Sequence, residues 1–360
     1  MTPAPNRSSR PTTFVAVTLV CVAVAIGYVW ARQSAQPAAS APPISVSLIA
    51  PSSPGELAAI QSQPHLVVIN REAPYIDYVR LVSLDPATPR IYQTTLHCDR
   101  MHYAAGNGIC LLRDLSAGGS ETVRVTLFDS GFQPQHTFTV EGYPTRTRVS
   151  PDGRYAAFTV FVTGHSYSDA NMSTATVLLD TASGASLGNL EAFTIWRDGK
   201  QFQAPDFNFW GVTFAKDSDQ FYATLRSYGV TYLVQGSVST RALTIIGQGV
   251  ECPSLSPDGT RLAFKKFVPE GKWRLTVLDL ATMQETLLAE TESIDDQVEW
   301  LDDQHILYQN IDPNPPPWMS VMMVLADGSG APEVLVPNAI SPAAMSQPVA
   351  ARAVVDGPRP

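Results

Sequence analysis

The sequence predicts an all-β fold, a ring of about six four-stranded repeats, preceded by one membrane-spanning helix. Three observations lead to this prediction. The turn sequence Ser-Pro-Asp-Gly occurs twice, weaker copies of it recur along the chain, and an uncharged apolar stretch lies near the N-terminus. Repeats of about 40–45 residues with four short strands each are typical of β-propeller blades. We therefore expect a six-bladed β-propeller that follows a single transmembrane helix.

The two clear turns lie in near-identical segments, residues 149–158 and 255–264. They consist of Ser150, Pro151, Asp152 and Gly153, and of Ser256, Pro257, Asp258 and Gly259. Proline sets φ at the first turn position, aspartate bonds back to the turn backbone, and glycine takes the position with positive φ. Because a mostly apolar run follows each turn, each one is predicted to join two buried strands.

The weaker copies set the number of repeats. Equivalent turn positions are Ala105, Ser150, Ala215, Ser256 and Leu301, with spacings of 45, 65, 41 and 45 residues. Extrapolation backward places a sixth repeat near Ser62, before a strand at 66–70, and residues 55–62 are the one later stretch with a helical pattern. The fifth repeat contains all four predicted strands, at 250–256, 261–267, 274–280 and 285–289.

Closure of the ring follows from burial. A single blade cannot bury both of its faces, so neighbouring blades stack until the circle closes. The sequence leaves two ways to close it. Either residues 331–350 return to the first blade, or residues 55–62 complete the last one.

The repeats resemble a known family. The Ser-Pro-Asp-Gly turn, the Ala-Phe pair that follows it, and a third strand ending in Leu278-Asp279-Leu280 are similar to TolB-type, WD-repeat-like propeller units, over about residues 62–340. TolB itself is a periplasmic protein of the Tol–Pal envelope system, with an α/β domain before its propeller. This chain has only a spacer and some fifteen residues there, so the resemblance implies the architecture and no Tol–Pal role.

The N-terminal segment predicts a membrane anchor. Residues 11–31 carry no charged side chain, Arg7 and Arg10 precede them, and Arg32 follows. About 20 apolar residues match one helical crossing, and the arginines favour a cytoplasmic N-terminus. We predict a cytoplasmic tail (1–12), a transmembrane signal anchor (13–31), an Ala/Pro/Ser-rich linker (32–54), the propeller (55–350) and a disordered tail (351–360). A cleaved signal peptide is the alternative, and either places the propeller outside the cytoplasm, at a single-pass anchor in the cell membrane.

Composition and cysteines narrow the classes of function and site. The net charge is −9, and no Lys/Arg-rich run exists beyond the extreme N-terminus, so nucleic acid is not expected as a partner. Cys98 and Cys110 either stay free thiols or form a disulfide in an oxidising compartment. With His97 and His102 they match no standard zinc spacing, so no metal or cofactor is predicted.

The segment Gly184-Ala185-Ser186-Leu187-Gly188 matches the pattern of a hydrolase nucleophile elbow. Such an elbow needs a strand-to-helix context, with an acid and a histidine further along the chain. Here a predicted strand precedes the segment and another follows it, so it is interpreted as a blade hairpin. No catalytic residue is predicted.

Long connections predict the binding face. In four-stranded blades the second-to-third and fourth-to-first connections open on one face, and the four long segments (164–174, 196–208, 268–272 and 312–318) are all of these kinds. Loop elaboration on one face is typical of a binding surface. The predicted partner-binding residues on it are His165, Tyr167, Asp169, Trp196, Asp206, Phe207, Trp210, Glu251, Asp295, Asp296 and Trp318.

Two functions from different classes follow from these patterns. The first is a membrane-anchored, extracytoplasmic, non-enzymatic scaffold that binds an envelope protein or a glycan. The alternative is a lactonase- or lyase-like propeller enzyme with a metal in the central channel. Such an enzyme needs ligands that converge from several blades, and only Glu251, Asp295 and Asp296 are obvious candidates, with no histidine beside them.

Overall fold

The computed structural model describes residues 54–87, 89–114, 121–169, 171–311 and 319–345. The predicted cytoplasmic tail, transmembrane segment and tail 351–360 lie outside these residues, as do Trp318 and nearly all of the linker. None of the helices within the described ranges combines the length and the apolar character that a membrane crossing requires.

Six antiparallel blades make up the described chain, after a short helix α1 (Pro54–Gln61). Blade one contains β1 (His65–Asn70), β2 (Tyr78–Ser83) and β3 (Ile91–His97). Blade two contains β4 (Arg100–Ala104), β5 (Asn107–Asp114), β6 (Thr122–Asp129) and β7 (Pro134–Glu141). Blade three contains β8 (Tyr143–Val149), β9 (Tyr155–Thr163), β10 (Ser173–Asp180) and β11 (Ser186–Asn189).

In each of blades four, five and six, the four blade strands are arranged in chain order from the centre of the ring outward. After a 3₁₀ turn (Leu190–Ala192) come β12 (Thr194–Arg197) and β13 (Lys200–Gln201). Blade four contains β14 (Asn208–Phe214), β15 (Gln220–Ser227), β16 (Val230–Ser237) and β17 (Ala242–Gln248). Blade five contains β18 (Glu251–Leu255), β19 (Arg261–Val268), β20 (Lys272–Asp279) and β21 (Glu285–Leu287). Blade six contains β22 (Glu299–Trp300), β23 (His305–Ile311), β24 (Met319–Leu325) and β25 (Glu333–Val336).

The last strand closes the ring. β26 (Ala339–Met345) pairs antiparallel with β1, His65 opposite Met345 and Asn70 opposite Ala339, and becomes the innermost strand of blade one. This confirms the first of the two predicted closures. Helix α1 instead packs on blades one and two, where Ile60 is fully buried in a cluster that includes Tyr103.

The Ser-Pro-Asp-Gly turns have the predicted conformation. Gly153 and Gly259 have φ values of +74° and +78°. In the first turn the Gly153 N–H donates to the Ser150 carbonyl (2.8 Å), and the Asp152 carboxylate accepts from the Ser150 hydroxyl and from a backbone N–H. The second turn repeats these contacts. The local chemistry of the turn therefore fixes where β8 joins β9 and where β18 joins β19.

The spacing of 65 residues between the third and fourth repeats has a structural cause. The additional residues form β12 and β13, and β12 pairs in parallel with β17 at the outer edge of blade four. Blade four is therefore six-stranded, and the segment 196–208 that we interpreted as a long loop begins with a short two-stranded hairpin.

Two other sequence features are placed by the fold. Cys98 and Cys110 form a disulfide, which ties the segment between blades one and two to β5. Ser186 starts β11, and the Gly184 N–H donates to the Asp180 carbonyl within the β10–β11 turn, so the elbow-like segment is a blade hairpin.

Candidate functional site

The innermost strands line a central channel, and several of them place charged side chains along it. In β8, Arg146 and Arg148 alternate with threonines, and this period of two directs both arginines to the same side of the strand. Blade six contributes Asp295, Asp296 and Glu299 from residues at and before β22. These groups form two layers along the channel, because Arg148 and Glu299 lie next to the Ser-Pro-Asp-Gly turns and Arg146 and Asp295 lie further from them.

The layer next to the turns is an ion pair with a histidine. The Arg148 guanidinium bonds Glu299 Oε2 and also donates to the Val298 carbonyl (3.0 Å). Burial alone would raise the pKa of Glu299, but the Arg148 charge, together with His102 and the Ala344 backbone N–H, outweighs burial and lowers this pKa to about 2. Glu299 is therefore ionised, and the pair forms a fixed polar floor at this end of the channel.

His102 completes this layer in its neutral form. Its Nδ1 accepts a hydrogen bond from the Val149 backbone N–H (3.0 Å), and its Nε2 lies 3.0 Å from Arg148 Nη1 and 3.4 Å from Glu299 Oε2. Burial and the nearby Arg148 charge lower the pKa of His102. Protonation of Nδ1 would break the bond to Val149, which adds to the cost of charging the ring.

The layer further from the turns pairs carboxylates with two cations. Asp295 Oδ1 lies 2.8 Å from Arg146 Nη2 and 2.5 Å from Lys265 Nζ. Burial would raise the pKa of Asp295, but the charges of Lys265 and Arg146 lower it. Glu251 lies 3.8 Å from Lys265 and accepts from the Trp273 indole N–H, yet burial raises its pKa, as it does for Asp296.

A tyrosine packs into the channel on the face that carries the β9–β10 loop. Tyr167 is 5% exposed, and its hydroxyl is 2.8 Å from the Thr145 hydroxyl. Its ring centroid lies 4.8 Å from that of Trp210, and Lys265 Nζ lies 4.4 Å from the Tyr167 ring. The loop thus folds into the channel mouth, where its aromatic ring packs on Arg146 and Lys265.

The opposite mouth is open. A cavity of about 520 Å³ lies among the turns that join the first and second strands of the blades. Exposed Pro151, Lys216 and Pro257 form its rim, and Phe214 and Trp300 contribute to its walls. The Arg148–Glu299–His102 layer lines its inner end. The cavity combines apolar walls with a few fixed polar groups, which is typical of ligand sites.

The predicted partner-binding residues do not form one surface. Tyr167, Trp210, Glu251, Asp295 and Asp296 lie together at the loop-side mouth, where Trp210 is fully buried. Trp196 lies in β12 at the edge of blade four and is 40% exposed. His165 is exposed and contacts Glu121, while Trp318 lies outside the described residues.

The remaining three predicted residues stabilise loops. The Asp206 carboxylate accepts from the Ser227 hydroxyl (2.7 Å) and from the Tyr228 backbone N–H, which fixes the β15–β16 turn. Phe207 packs against the core between blades three and four. Asp169 accepts a bond from the Asn171 N–H through its carboxylate and from Arg226 through its carbonyl.

Sequence reasoning missed the residues of the open end, which are His102, Arg148, Lys216 and Glu299. The sequence did contain one signal that could have indicated this end of the channel. Arg146 and Arg148 are two residues apart in a strand whose other residues are mostly buried. Charged residues at a period of two in an innermost strand indicate a polar channel wall. The contact between Arg148 and Glu299 joins residues 151 positions apart, and only the closed ring brings them together.

Comparisons with known proteins agree with this architecture. No protein-family model and no curated protein matches the sequence. The structure of TolB from Acinetobacter baumannii is similar with a TM-score of 0.51 at 13% identity, over 79% of this chain and 67% of that chain. A structure of a nidogen/laminin complex is similar with a TM-score of 0.51 at 12% identity, over 79% of this chain and 99% of that chain. At such identities the likeness concerns the fold. The chain therefore adopts the six-bladed β-propeller fold of TolB-like proteins.

Proposed function

We propose that this chain is a membrane-anchored, extracytoplasmic binding propeller, which takes part of an envelope protein or a glycan into the cavity at the turn end of its channel. One observation carries the proposal: buried Tyr167 packs into one mouth of the channel, whereas the other opens into a cavity of about 520 Å³. Concave sites with apolar walls and fixed polar groups are the usual ligand sites of proteins. The proposed binding end is thus opposite to the long-loop face that the sequence favoured.

Two features support an extracytoplasmic location. The Cys98–Cys110 disulfide fits an oxidising compartment, because cytosolic thiols are kept reduced. The uncharged stretch 11–31, with Arg7 and Arg10 before it, fits a signal anchor that leaves the propeller outside. The disulfide and the apolar stretch are independent of each other, and both favour the same side of the membrane.

The channel chemistry favours binding over a metal-dependent reaction. Asp295 lies within 2.8 Å of both Arg146 and Lys265, and Glu299 bonds Arg148. A divalent cation would need these carboxylates as ligands, and the protein's own cations already compensate their charge. Among the described residues, no three His, Cys, Asp or Glu side chains are grouped so that they could hold a metal ion. These residues therefore do not fit the metal centre of the alternative enzyme hypothesis.

Capture from membranes tests the proposal. We would cross-link the full-length protein in membranes, isolate it and identify what it retains, first for the wild type and then for Lys216→Trp. Lys216 is an exposed rim residue, so a tryptophan there should narrow the mouth with little effect on the fold. We expect the partner to be lost, with the melting temperature within a few degrees of the wild type.

A matched control separates the cavity from the surface in general. Lys200→Trp makes the same change at an exposed lysine of β13, on the outer edge of blade four. Capture should survive this substitution. If Lys216→Trp retained the partner as fully as Lys200→Trp, binding at the cavity would be wrong.

A further inference from the structure

We propose that two copies of this chain associate through the outer edge of blade two, where β7 of one copy pairs antiparallel with β7 of the other. Three observations lead to this inference: the unprotected length of β7, the direction of its free backbone groups, and a sequence that is nearly symmetric about Phe138. The inference is independent of the proposed function, because β7 is the outermost strand of its blade and does not line the cavity.

The first observation is that β7 is the longest outer strand in the described part of the chain. It has eight residues, whereas β11 and β25 have four each, β21 has three and β13 has two. The outer strand of blade one, β3, has seven residues, but a bulge interrupts its pairing and helix α1 packs on it. Short strands, bulges, covering elements and lysines are the usual protection of sheet edges. From His136 to Glu141, β7 has no bulge and no lysine, and Glu141 is its single charged residue.

The second observation is that the free backbone groups of β7 suit another extended strand. Of the described strands, only β6 pairs with β7. The Gly142 N–H donates to the Glu121 carbonyl (2.8 Å) at the end of this pair, and in an antiparallel ladder such bonds recur at every second residue. The even-numbered residues of β7 therefore bond to β6, and the N–H and C=O groups of Thr137, Thr139 and Glu141 point away from the blade. An added strand can bond to such a row of backbone groups.

The third observation is that β7 is complementary to a second copy of itself. Antiparallel pairing about Phe138 places this ring opposite its own equivalent and Thr137 opposite Thr139 of the second copy. It also places Gln135 opposite Glu141 of the second copy, so no like charges face each other. Thr137 and Thr139 both have outward-pointing backbone groups, as a hydrogen-bonded antiparallel pair requires. Contact of the same strand in both copies is typical of a two-fold dimer.

Both faces of the joined sheet gain suitable contacts. On one face, Phe138 and Val140 are half-buried against the core between blades two and three, and the second copy of β7 would cover more of their surface. On the other face, the hydroxyls of Thr126 and Thr137 lie 3.3 Å apart, and Thr139 of the second copy would extend this row. Aromatic pairs and threonine pairs between neighbouring strands stabilise a sheet.

Analytical ultracentrifugation of the full-length protein in a mild detergent tests this proposal. We expect the wild type to be dimeric at about 100 μM, because edge pairing alone forms a small interface. Thr137→Lys combined with Thr139→Lys sets lysine opposite lysine at both central pairs and should weaken the dimer at least about tenfold. The matched variant, Thr137→Lys with Thr139→Glu, sets lysine opposite glutamate at both pairs and should keep the dimer. Both positions are exposed, so the two variants should melt close to the wild type.

Three results would overturn the inference. The first is a wild type that stays monomeric at this concentration. The second is a dimer that the two lysines leave as tight as in the wild type, because the interface would then lie elsewhere. The third is a Lys/Glu variant that loses the dimer as fully as the Lys/Lys variant, because opposite charges should attract in antiparallel pairing of β7 with itself.

Discussion

At the scale of single residues, the two turn glycines have the same backbone conformation in different surroundings. A Cβ on Gly259 would have no neighbour within 4 Å, whereas one on Gly153 would lie 2.8 Å from Asn107 Nδ2 and 3.2 Å from the Ala104 carbonyl. Gly259→Val should therefore cost about 1–3 kcal/mol of unfolding free energy, from backbone strain alone. Gly153→Val should cost clearly more, because the clash adds to the strain.

Chemical denaturation of both variants checks this difference. Equal losses would mean that the space around Gly153 can relax at no cost. An unchanged stability of Gly259→Val would show that the Ser-Pro-Asp-Gly turn does not depend on its positive φ.

The lowered pKa of Glu299 predicts that the protein loses stability in acid. Its pKa is 4.5 in an unfolded chain and about 2 in the fold, so between these values the unfolded state binds more protons. The stabilisation is present above pH 4.5 and is lost as the pH falls toward 2, and the shift is equivalent to about 3 kcal/mol. The lowered pKa of His102 acts in the same direction, because stability starts to fall below pH 6.5.

Glu299→Gln tests this assignment in a series of denaturation curves at different pH. The variant should be less stable at pH 7, because Arg148 loses its buried counterion. Its stability should also fall less steeply than that of the wild type between pH 4.5 and 2. A parallel fall in both proteins would mean that other carboxylates cause the acid sensitivity.

At the scale of elements, two adjacent residues of the β12–β13 hairpin differ in burial, one being in the core and the other on the surface. Ile195 is 1% exposed and packs in the core between blades three and four, whereas Trp196 is 40% exposed. Ile195→Ala should cost about 2–5 kcal/mol, and Trp196→Ala should change stability far less. Similar losses in thermal or chemical unfolding would show that the Trp196 ring is part of the core.

The disulfide stabilises a different element, the link between blades one and two. Cys98 and Cys110 are 12 residues apart, and closing a loop of this size contributes about 2–4 kcal/mol. Reduction should lower the melting temperature of the wild type, and Cys98→Ala combined with Cys110→Ala should remove the response to reductant. A wild-type melting temperature that is the same with and without reductant would contradict a disulfide in the native protein.

How well a feature could be predicted from the sequence depends on how far apart its interacting residues lie along the chain. The turns at Ser150 and Ser256 are determined by four adjacent residues, so both their positions and their glycine conformations were predicted and are confirmed. The repeat spacing then located the blades, including a first strand near Leu66. Closure by β26 remained one of two alternatives, because pairing between β1 and β26 joins residues about 270 positions apart and leaves no local pattern.

The candidate site was harder to predict for the same reason. An aromatic residue beside a long connection has the same sequence context whether it is exposed or buried, and Trp210 is fully buried. Asp206 resembles a binding residue in sequence, yet it fixes the turn at Tyr228. The Arg148–Glu299 pair depends on three-dimensional closure of the ring, which no local pattern reveals.

At the scale of the whole molecule, the two ends of the channel differ. On the β9–β10 loop side the ring of Tyr167 packs on Arg146 and Lys265, while the turn side opens into the cavity. Exposed Val162 lies on the loop side and exposed Lys216 on the turn side, so the two positions sample opposite faces of the same ring. The proposed function requires that the partner contact the turn side.

Site-specific photo-cross-linking in membranes tests this requirement most directly. A photoreactive lysine analogue with a diazirine group, which is close to lysine in size and leaves the mouth open, would replace Lys216 in one sample and Val162 in another, in the full-length protein. We expect a cross-linked partner from position 216 and none from position 162. Cross-links from position 162 alone would show that the proposed binding end is wrong and that the partner contacts the long-loop face.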